Sequence, residues 1–235
     1  DSSSFPILTS DDIAALNQAG LSSLIIEYVH FDGNLGSARG HNVLAKDCSA
    51  DFLLIQNPDI VVSPRTLEYL LEPFTLSTVG MTEAKQLPFE HPKDYDTTTG
   101  ETSWATTACS IIPVSLFRQL DGFDADSFFL YCDDVDFSWR VREAGYKVLF
   151  QAAAAVFHDK RLTATGKWQS SQAEHYYSAE AALFLTHKWS RPDLTAKYLH
   201  FFEKHGDSNQ KKAAKVFSDC RINNQLSEPV SSIHL

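Results

Sequence analysis

Short apolar runs and amphipathic segments alternate along this chain, and that alternation limits what it can fold into. "DFLLIQ" (residues 51–56) is a continuous apolar run the length of one buried parallel strand. It stops at Asn57-Pro58-Asp59, where a proline cannot donate to a sheet ladder. "SPRTLEYLLEPF" comes next, with a capping Ser63, a proline at the first helical position and apolar residues at helical spacing. Upstream, "SDDIAALNQAG" (10–20) carries a helix start at Ser10 or Asp11 and a stop at Gly20, and "LIIEYVHF" (24–31) has the β-branched and aromatic content of a strand. "GNLGSARGHNVLAKDCSA" opens on turn residues and continues as a helix. Further on, "ATTACSIIPVSLFRQLDGFD" reads as strand, helix and turn, and "DDVDFSWRVREAG" as a helix with acids at its start and Gly145 at its stop. "YKVLFQ" and "AAAVFH" read as two strands, the second ending at His158. Strand and helix in alternation predict an α/β fold with a largely parallel sheet.

Two regions depart from that pattern. Residues 83–104, "EAKQLPFEHPKDYDTTTGETSW", are polar, hold two prolines and lack a period, as functional or mobile loops do. From about Ser170 the chain is helical throughout, in "SQAEHYYSAEAALFLTHKW", "LTAKYLHFFEKHG" and "NQKKAAKVFSD", before a final stretch expected to be poorly ordered. The expected organisation is a core over residues 1–165 and a helical extension over 166–235.

The charge balance bears on function. Twenty basic against 30 acidic residues give a net charge of −10, which disfavours a nucleic-acid groove and suits a protein that recruits a divalent cation. At 43% hydrophobic, the 235-residue chain can bury a substantial core. Cys48, Cys109, Cys132 and Cys220 show no CxxC pair, so a reduced, cytoplasmic setting is the simpler expectation. No apolar run approaches the roughly 20 residues that span a bilayer, and no signal peptide is visible. The lysines and arginines of the helical tail form either a solvated face or a surface for anionic membrane.

Polar residues collect at three strand ends or loops, where α/β proteins place ligands. They are Asn57-Pro58-Asp59, the acidic group Asp133, Asp134 and Asp136 among aromatics, and His158. A carboxylate and an imidazole suit Mn²⁺ or Mg²⁺ when phosphate oxygens and water complete the shell, and a further carboxylate is then available as a general base. Each also has a plain structural reading. Asp59 is a natural turn residue, Asp133 and Asp134 favour a helix N-terminus, and a lone histidine is more often structural.

Taken in order, "NLGSARGHN", "DFLLIQNPD", "GFDADSFFLYCDDVDFSWRVREAGYKV" and "AAVFHD" resemble the inverting family 2 glycosyltransferases of the GT-A fold. The likeness is to bacterial members that transfer rhamnose, galactofuranose or related sugars, and it covers roughly residues 1–158. It implies a GT-A, Rossmann-like, mostly parallel sheet with flanking helices, N-terminally incomplete, plus the C-terminal helical segment. The implied reaction moves a sugar from a nucleotide-diphosphate donor to a hydroxyl of a glycan or lipid-linked acceptor, with Mn²⁺ or Mg²⁺ as cofactor. The implied setting is the cytoplasm or the inner face of the plasma membrane.

The resemblance assigns roles position by position. Asp59 and His158 match the metal ligands, and Asp134 matches the catalytic base, with Asp133 where glutamate is usual. Asp136 matches a structural, arginine-paired position. Asp1, Asn34, Arg39, Asn57 and Asp59 fall on the donor side; Trp104, Asp133 and Trp139 fall on the acceptor side. Glu180 and Ala181 stand where many members carry Arg-Asn, and the first strand and helix of the family are not matched, which keeps an inactive sugar-nucleotide-binding domain as an alternative. A two-carboxylate glycoside hydrolase is a further alternative, but it gives Asn57-Pro58-Asp59 and His158 no role.

Overall fold

A computed structural model describes residues 1–19, 24–159 and 170–230, and the chain divides into two compact units, Asp1–Gly36 and Ser37–Leu235.

In the first unit, helix α1 (Ser10–Ala19) starts one residue earlier than its sequence suggests. Thr9 is the cap: its hydroxyl accepts from the Asp12 amide at 3.2 Å, and its own N–H and hydroxyl donate to the Asp12 carboxylate at 2.8 and 2.7 Å. The expected stop, Gly20, lies outside the described residues. Residues 24–31 form no strand. Their backbone groups are taken by other partners: the Asn17 amide brackets Ile26, and Asp1 bonds Val29 and Phe31. A segment satisfied this way has no ladder to join.

The second unit holds five strands: β1 (Phe52–Gln56), β2 (Ile60–Val62), β3 (Val79–Leu87), β4 (Cys109–Pro113) and β5 (Lys147–His158). They lie in the order β1-β4-β3-β5-β2. Only β3 and β5 run parallel; β1–β4, β3–β4 and β2–β5 are antiparallel, so the sheet is mixed and not mostly parallel. "DFLLIQ" is correspondingly an edge strand, with Phe52 and Leu54 exposed, and not a strand covered on both faces. The apolar run identified a strand but not its direction, which the partners decide.

The two runs expected as separate strands form β5 alone. Its register against β3 slips between Ala84↔Gln151 and Lys85↔Ala155, so residues 152–154 are taken up as a bulge. Bulges bend a strand and re-aim the residues beyond them. Here the last four residues, Ala155–His158, come to lie between β3 and the short β2, and Ile60 pairs with His158.

Helices cover both faces. On one side α2 (Gly36–Ala45), α4 (Val114–Gln119) and α5 (Asp133–Glu143) pack on the sheet through Ala38, Leu116, Phe117, Phe137 and Val141, with Phe123 from the turn after α4, against Met81, Ile112 and Val148. On the other, α3 (Thr66–Leu71) seats Leu70 against Ala84, Ile111 and Val156. Ile111 and Ile112 serve opposite faces, as the two-residue period of a strand requires. The expected cap of α3, Ser63, instead donates its hydroxyl to Ala155 O at 2.7 Å and ties the loop to β5; Arg65, in a left-handed conformation, precedes the helix.

The C-terminal segment forms α6 (Gln172–Lys188), α7 (Pro192–His205) and α8 (Ser208–Ile222). Capping boxes at Ser171/Glu174 and Asp207/Gln210 start α6 and α8. The tail after α8 was expected to be loose, yet through Val230 it is tied down. Val230 N–H donates to Lys188 O at 2.6 Å, and Ser190 donates to Val230 O at 2.6 Å. Residues 231–235 lie outside the described residues.

Candidate active site

The bulged end of β5 and the turn after β1 meet. His158 Nε2 lies 3.3 Å from Asp59 Oδ1, and the Asp159 amide donates to Asp59 O at 2.9 Å. On the other side of the ring, Nδ1 lies 2.7 Å from Gln86 Oε1. An amide oxygen only accepts, so Nδ1 carries a proton in this contact and Nε2 is the ring atom that faces Asp59. An imidazole nitrogen and a carboxylate oxygen facing each other at this separation can bind one cation together, with Gln86 as the outer partner that fixes the tautomer.

That donor set fits Mn²⁺ or Mg²⁺, provided other oxygens complete the shell. Among the described residues no group of three or more His, Cys, Asp or Glu side chains could hold a metal by itself. The remaining ligands would therefore be phosphate oxygens and water. The Gln86 amide nitrogen is buried and has no hydrogen-bond partner among the described residues, which leaves a donor beside this pair.

The acidic group sits at the start of α5, behind a strained entry. Tyr131 (φ 69°) and Cys132 (φ 57°) are both left-handed, a conformation costing non-glycine residues of order 1–3 kcal/mol each. The distortion turns the chain into α5, where Asp133 is buried and Asp134 half-buried. Asp134 accepts from the Val135 amide at 2.8 Å. Burial raises its proton affinity above the ordinary carboxylate value, while the nearby Val135 and Thr107 backbone amides and the positive charge of Lys93 pull it back. Asp133 is raised too, first by burial and then by the Asp134 charge, against the Ser37 hydroxyl that donates to it at 2.9 Å.

The turn after β1 is tied to the residue before β4, where the Asn57 amide donates to Ala108 O at 2.9 Å. Strand β3 adds further ties: Gln86 holds His158, and Glu83 holds the Thr106 amide and Lys93.

No family model matches the chain. A pre-mycofactocin glycosyltransferase of Mycobacterium tuberculosis is 26% identical over 215 residues, covering 83% of this chain and 43% of the relative. An N-acetylglucosaminyl-diphospho-decaprenol L-rhamnosyltransferase of the same organism is 32% identical over 92 residues, covering 39% of this chain and 30% of the relative. The chain thus spans less than half the length of these curated relatives. Among solved structures, a mannosyltransferase from Pyrobaculum calidifontis in complex with GDP-Man and Mn²⁺ superposes with a TM-score of 0.54 at 15% identity, covering 92% of this chain and 68% of that one. The fold is that of the GT-A glycosyltransferases. GalNAc-T7 with UDP, GalNAc and Mn²⁺ agrees at a TM-score of 0.50 and 13% identity, covering 87% of this chain and 47% of that one.

Within this GT-A unit, other predicted residues can be placed. Asp136 is fully buried, accepting from Arg140 Nε at 2.9 Å and Trp189 Nε1 at 3.0 Å and pairing with Lys188 Nζ at 2.7 Å, the arginine-paired structural position the resemblance implies. Trp139 packs edge-on to Trp189 at 5.2 Å, so one part of its surface is committed to packing. Arg39 pairs with exposed Asp126 at 2.9 Å, on the wall of a cavity of about 580 Å³. In the first unit, Asn34 accepts from the Gly36 amide at 3.0 Å, and the Asp1 carboxylate binds Tyr28 Oη and the Ser3 amide. Cys132 is a small hydrophobe whose thiol burial pushes far up, and none of the four cysteines is bonded to another.

Several residues that hold the site went unread in the sequence. Asn42 exchanges two bonds with the Phe123 backbone, at 2.7 and 2.9 Å, and fixes the Gly-Phe-Asp turn before α5. Lys93, Glu83 and Gln86 lie in the stretch read as a functional or mobile loop, where none of the three was singled out. Asn42 was the most findable, as an asparagine on the sheet-facing side of a helix.

Proposed function

We propose that this chain carries the catalytic centre of a metal-dependent inverting glycosyltransferase, which moves a sugar from a nucleotide-diphosphate donor to a hydroxyl of a glycan or lipid-linked acceptor. The observation that carries this reading is the meeting of Asp59 with His158 at 3.3 Å. The GT-A fold and the names of the relatives support the class. Both solved neighbours hold Mn²⁺, and one of them holds the nucleotide sugar GDP-Man.

Asp59 and His158 would hold the cation, which supplies positive charge where the leaving diphosphate develops negative charge. Gln86 keeps the His158 ring in the ligating tautomer. Asn57, Arg39, Asn34 and Asp1 are assigned to the donor. Asp134 takes the proton of the acceptor hydroxyl as oxygen attacks the anomeric carbon, and the carbon–oxygen bond to diphosphate breaks on the opposite side. One base and one displacement give inversion. Burial raises the proton affinity of Asp134, while the Val135 amide holds one carboxylate oxygen. Asp133, Trp104 and Trp139 are assigned to the acceptor side, with a core over residues 1–165 and a helical extension after it.

No described helix is long and apolar enough to cross a membrane. With lipid-linked acceptors in the reading, the proposed setting is cytoplasmic, at the membrane face.

Thermal-shift screening against nucleotide-diphosphate sugars, with and without Mn²⁺, tests the reading. A donor that stabilises the protein only when Mn²⁺ is present supports it. No response to any donor in either condition contradicts it.

A further inference from the structure

A cavity of about 490 Å³ opens between the segment that precedes α5 and the starts of α6 and α8. Its size falls within the roughly 300–1,000 Å³ of small-molecule sites. Three aromatic residues line it, Phe129, Tyr176 and Tyr177, together with Gln172, Asn209 and Lys212.

The rings come from two places in the chain and are held against one another. Phe129 stacks on Tyr177 with centroids 4.9 Å apart and planes 28° from parallel, and Tyr176 stands edge-on to Tyr177 at 4.9 Å. The Tyr176 hydroxyl donates to Glu180 at 2.6 Å, and the Lys212 ammonium lies 5.0 Å from the Tyr176 ring centre. None of the three aromatic residues is fully buried, so each keeps some surface for the cavity. Gln172 and Asn209 add planar amides, and Lys212 is the one charged residue on the wall.

That combination suits a neutral sugar. A sugar ring offers C–H faces to aromatic rings and hydroxyls at its edge to amides, which both donate and accept. A diphosphate calls for several positive groups, and Lys212 supplies only one.

The cavity also stands close to the proposed chemistry. Phe129 precedes Asp134 by five residues, so their Cα atoms are at most about 18 Å apart. The left-handed Tyr131 and Cys132 shorten that path. Phe129 O accepts from the Ser37 amide at 3.0 Å, and the Ser37 hydroxyl donates to Asp133 at 2.9 Å. One short segment thus carries a stacking ring at one end and the start of α5 at the other.

We propose that this cavity is a sugar subsite for the acceptor: Phe129 and Tyr177 form the stacking platform, Gln172 and Asn209 bind the hydroxyl edge, and the sugar held there lies further along the glycan than the hydroxyl that reacts. Its role as an acceptor subsite rests on the transferase reading above. It makes the acceptor a glycan and not a bare lipid alcohol.

The test is saturation-transfer NMR on the full chain, without donor or metal, using free disaccharides of glucose, galactose, mannose, rhamnose and N-acetylglucosamine as probes. At least one is expected to receive saturation. Tyr177→Ala and the double variant Gln172→Ala/Asn209→Ala should each weaken its affinity by about fivefold or more, the weight of one or two hydrogen bonds. Tyr177→Phe keeps the ring and should keep the affinity. The double variant leaves the aromatic packing alone, so it separates sugar binding from a stack that only pins Phe129 to α6. In a transfer assay it should raise the acceptor KM and leave kcat unchanged. No saturation of any disaccharide, or an affinity untouched by the double variant, overturns the proposal. Displacement of the sugar by UDP or GDP without Mn²⁺ also overturns it, in favour of a nucleobase. The NMR assay needs no turnover, so a protein that binds a disaccharide but transfers from no donor would defeat the transferase reading and leave the sugar site standing.

Discussion

The two halves of the candidate site are built in opposite ways. Asp59 is about half exposed (48%) and meets His158 at the end of a bulged strand, with ligand positions left for a shell that the described residues do not complete. The α5 acids are enclosed instead: Asp136 has three side-chain partners, Asp133 has Ser37, and Asp134 has the Val135 amide. In the proposed reading, a half-exposed carboxylate beside an imidazole suits the exchange of a cation and a diphosphate. A carboxylate that must take up a proton gains from a dry, fixed setting in which its affinity is raised. That reading puts ligand binding at the strand ends and proton chemistry on the helix.

If the helix side is the preorganised half, breaking it should cost stability first. Asp136→Ala leaves the Trp189 N–H without its acceptor and takes a carboxylate from Arg140 and Lys188, which keep only Leu120 O and Asp124, and its loss should be about 3–5 kcal/mol, as expected when a buried pair loses one partner. Chemical denaturation measures it; a loss under about 1 kcal/mol would mean the network is not what holds α5.

Lys93→Met should rank next, with a pH signature. Burial pushes Glu83 up to about 7 even with Lys93 and the Thr106 amide pulling it down. Removing Lys93 raises it further. A folded-state value above the unfolded 4.5 means that stability is lost as pH rises from 4.5 through the folded value. The variant should therefore be destabilised little at pH 5 and by about 3 kcal/mol or more at pH 8. Equal losses at both pH values would place Glu83 elsewhere.

On the open side, stability should hardly change and affinity should. His158→Ala should abolish most Mn²⁺ affinity in a calorimetric titration with a nucleoside diphosphate present. Gln86→Leu, which removes only the group orienting the ring, should weaken it by about 10–100-fold. A Gln86 effect as large as that of His158 would make the glutamine a ligand and redraw the site.

Ser37→Ala should give the smallest change, about 1 kcal/mol, for one hydrogen bond to a buried carboxylate. The hydroxyl holds Asp133 down against the burial that raises it to about 7, so the loss should appear in full above that value and fade as pH falls through it.

The same contrast explains what could be read beforehand. Helices announce themselves locally. The helical pattern from about Ser170 and the acids and Gly145 of α5 located those elements closely. Strand direction does not, because "DFLLIQ" has the same apolar run whether its neighbour is parallel or antiparallel, and only pairing with β4 decides. The single strand β5 looked like two because its alanine-rich middle is a bulge. Asp59, Asp134 and His158 stood out as polar residues closing apolar runs. Their supports did not: Lys93 and Glu83 look like loop charges until the fold buries both, and Asn42 becomes a lock only when Phe123, far along the chain, arrives against it.

The most direct measurement pairs two assays on Asp134→Asn: sugar transfer to an acceptor, and Mn²⁺ binding with the donor present. Transfer should fall by at least about 10²–10⁴-fold, the contribution of a positioned general base, while Mn²⁺ and donor affinities stay at wild-type values. Transfer at the wild-type rate, or loss of metal binding along with activity, would contradict the division between a ligand-holding strand end and a proton-accepting helix.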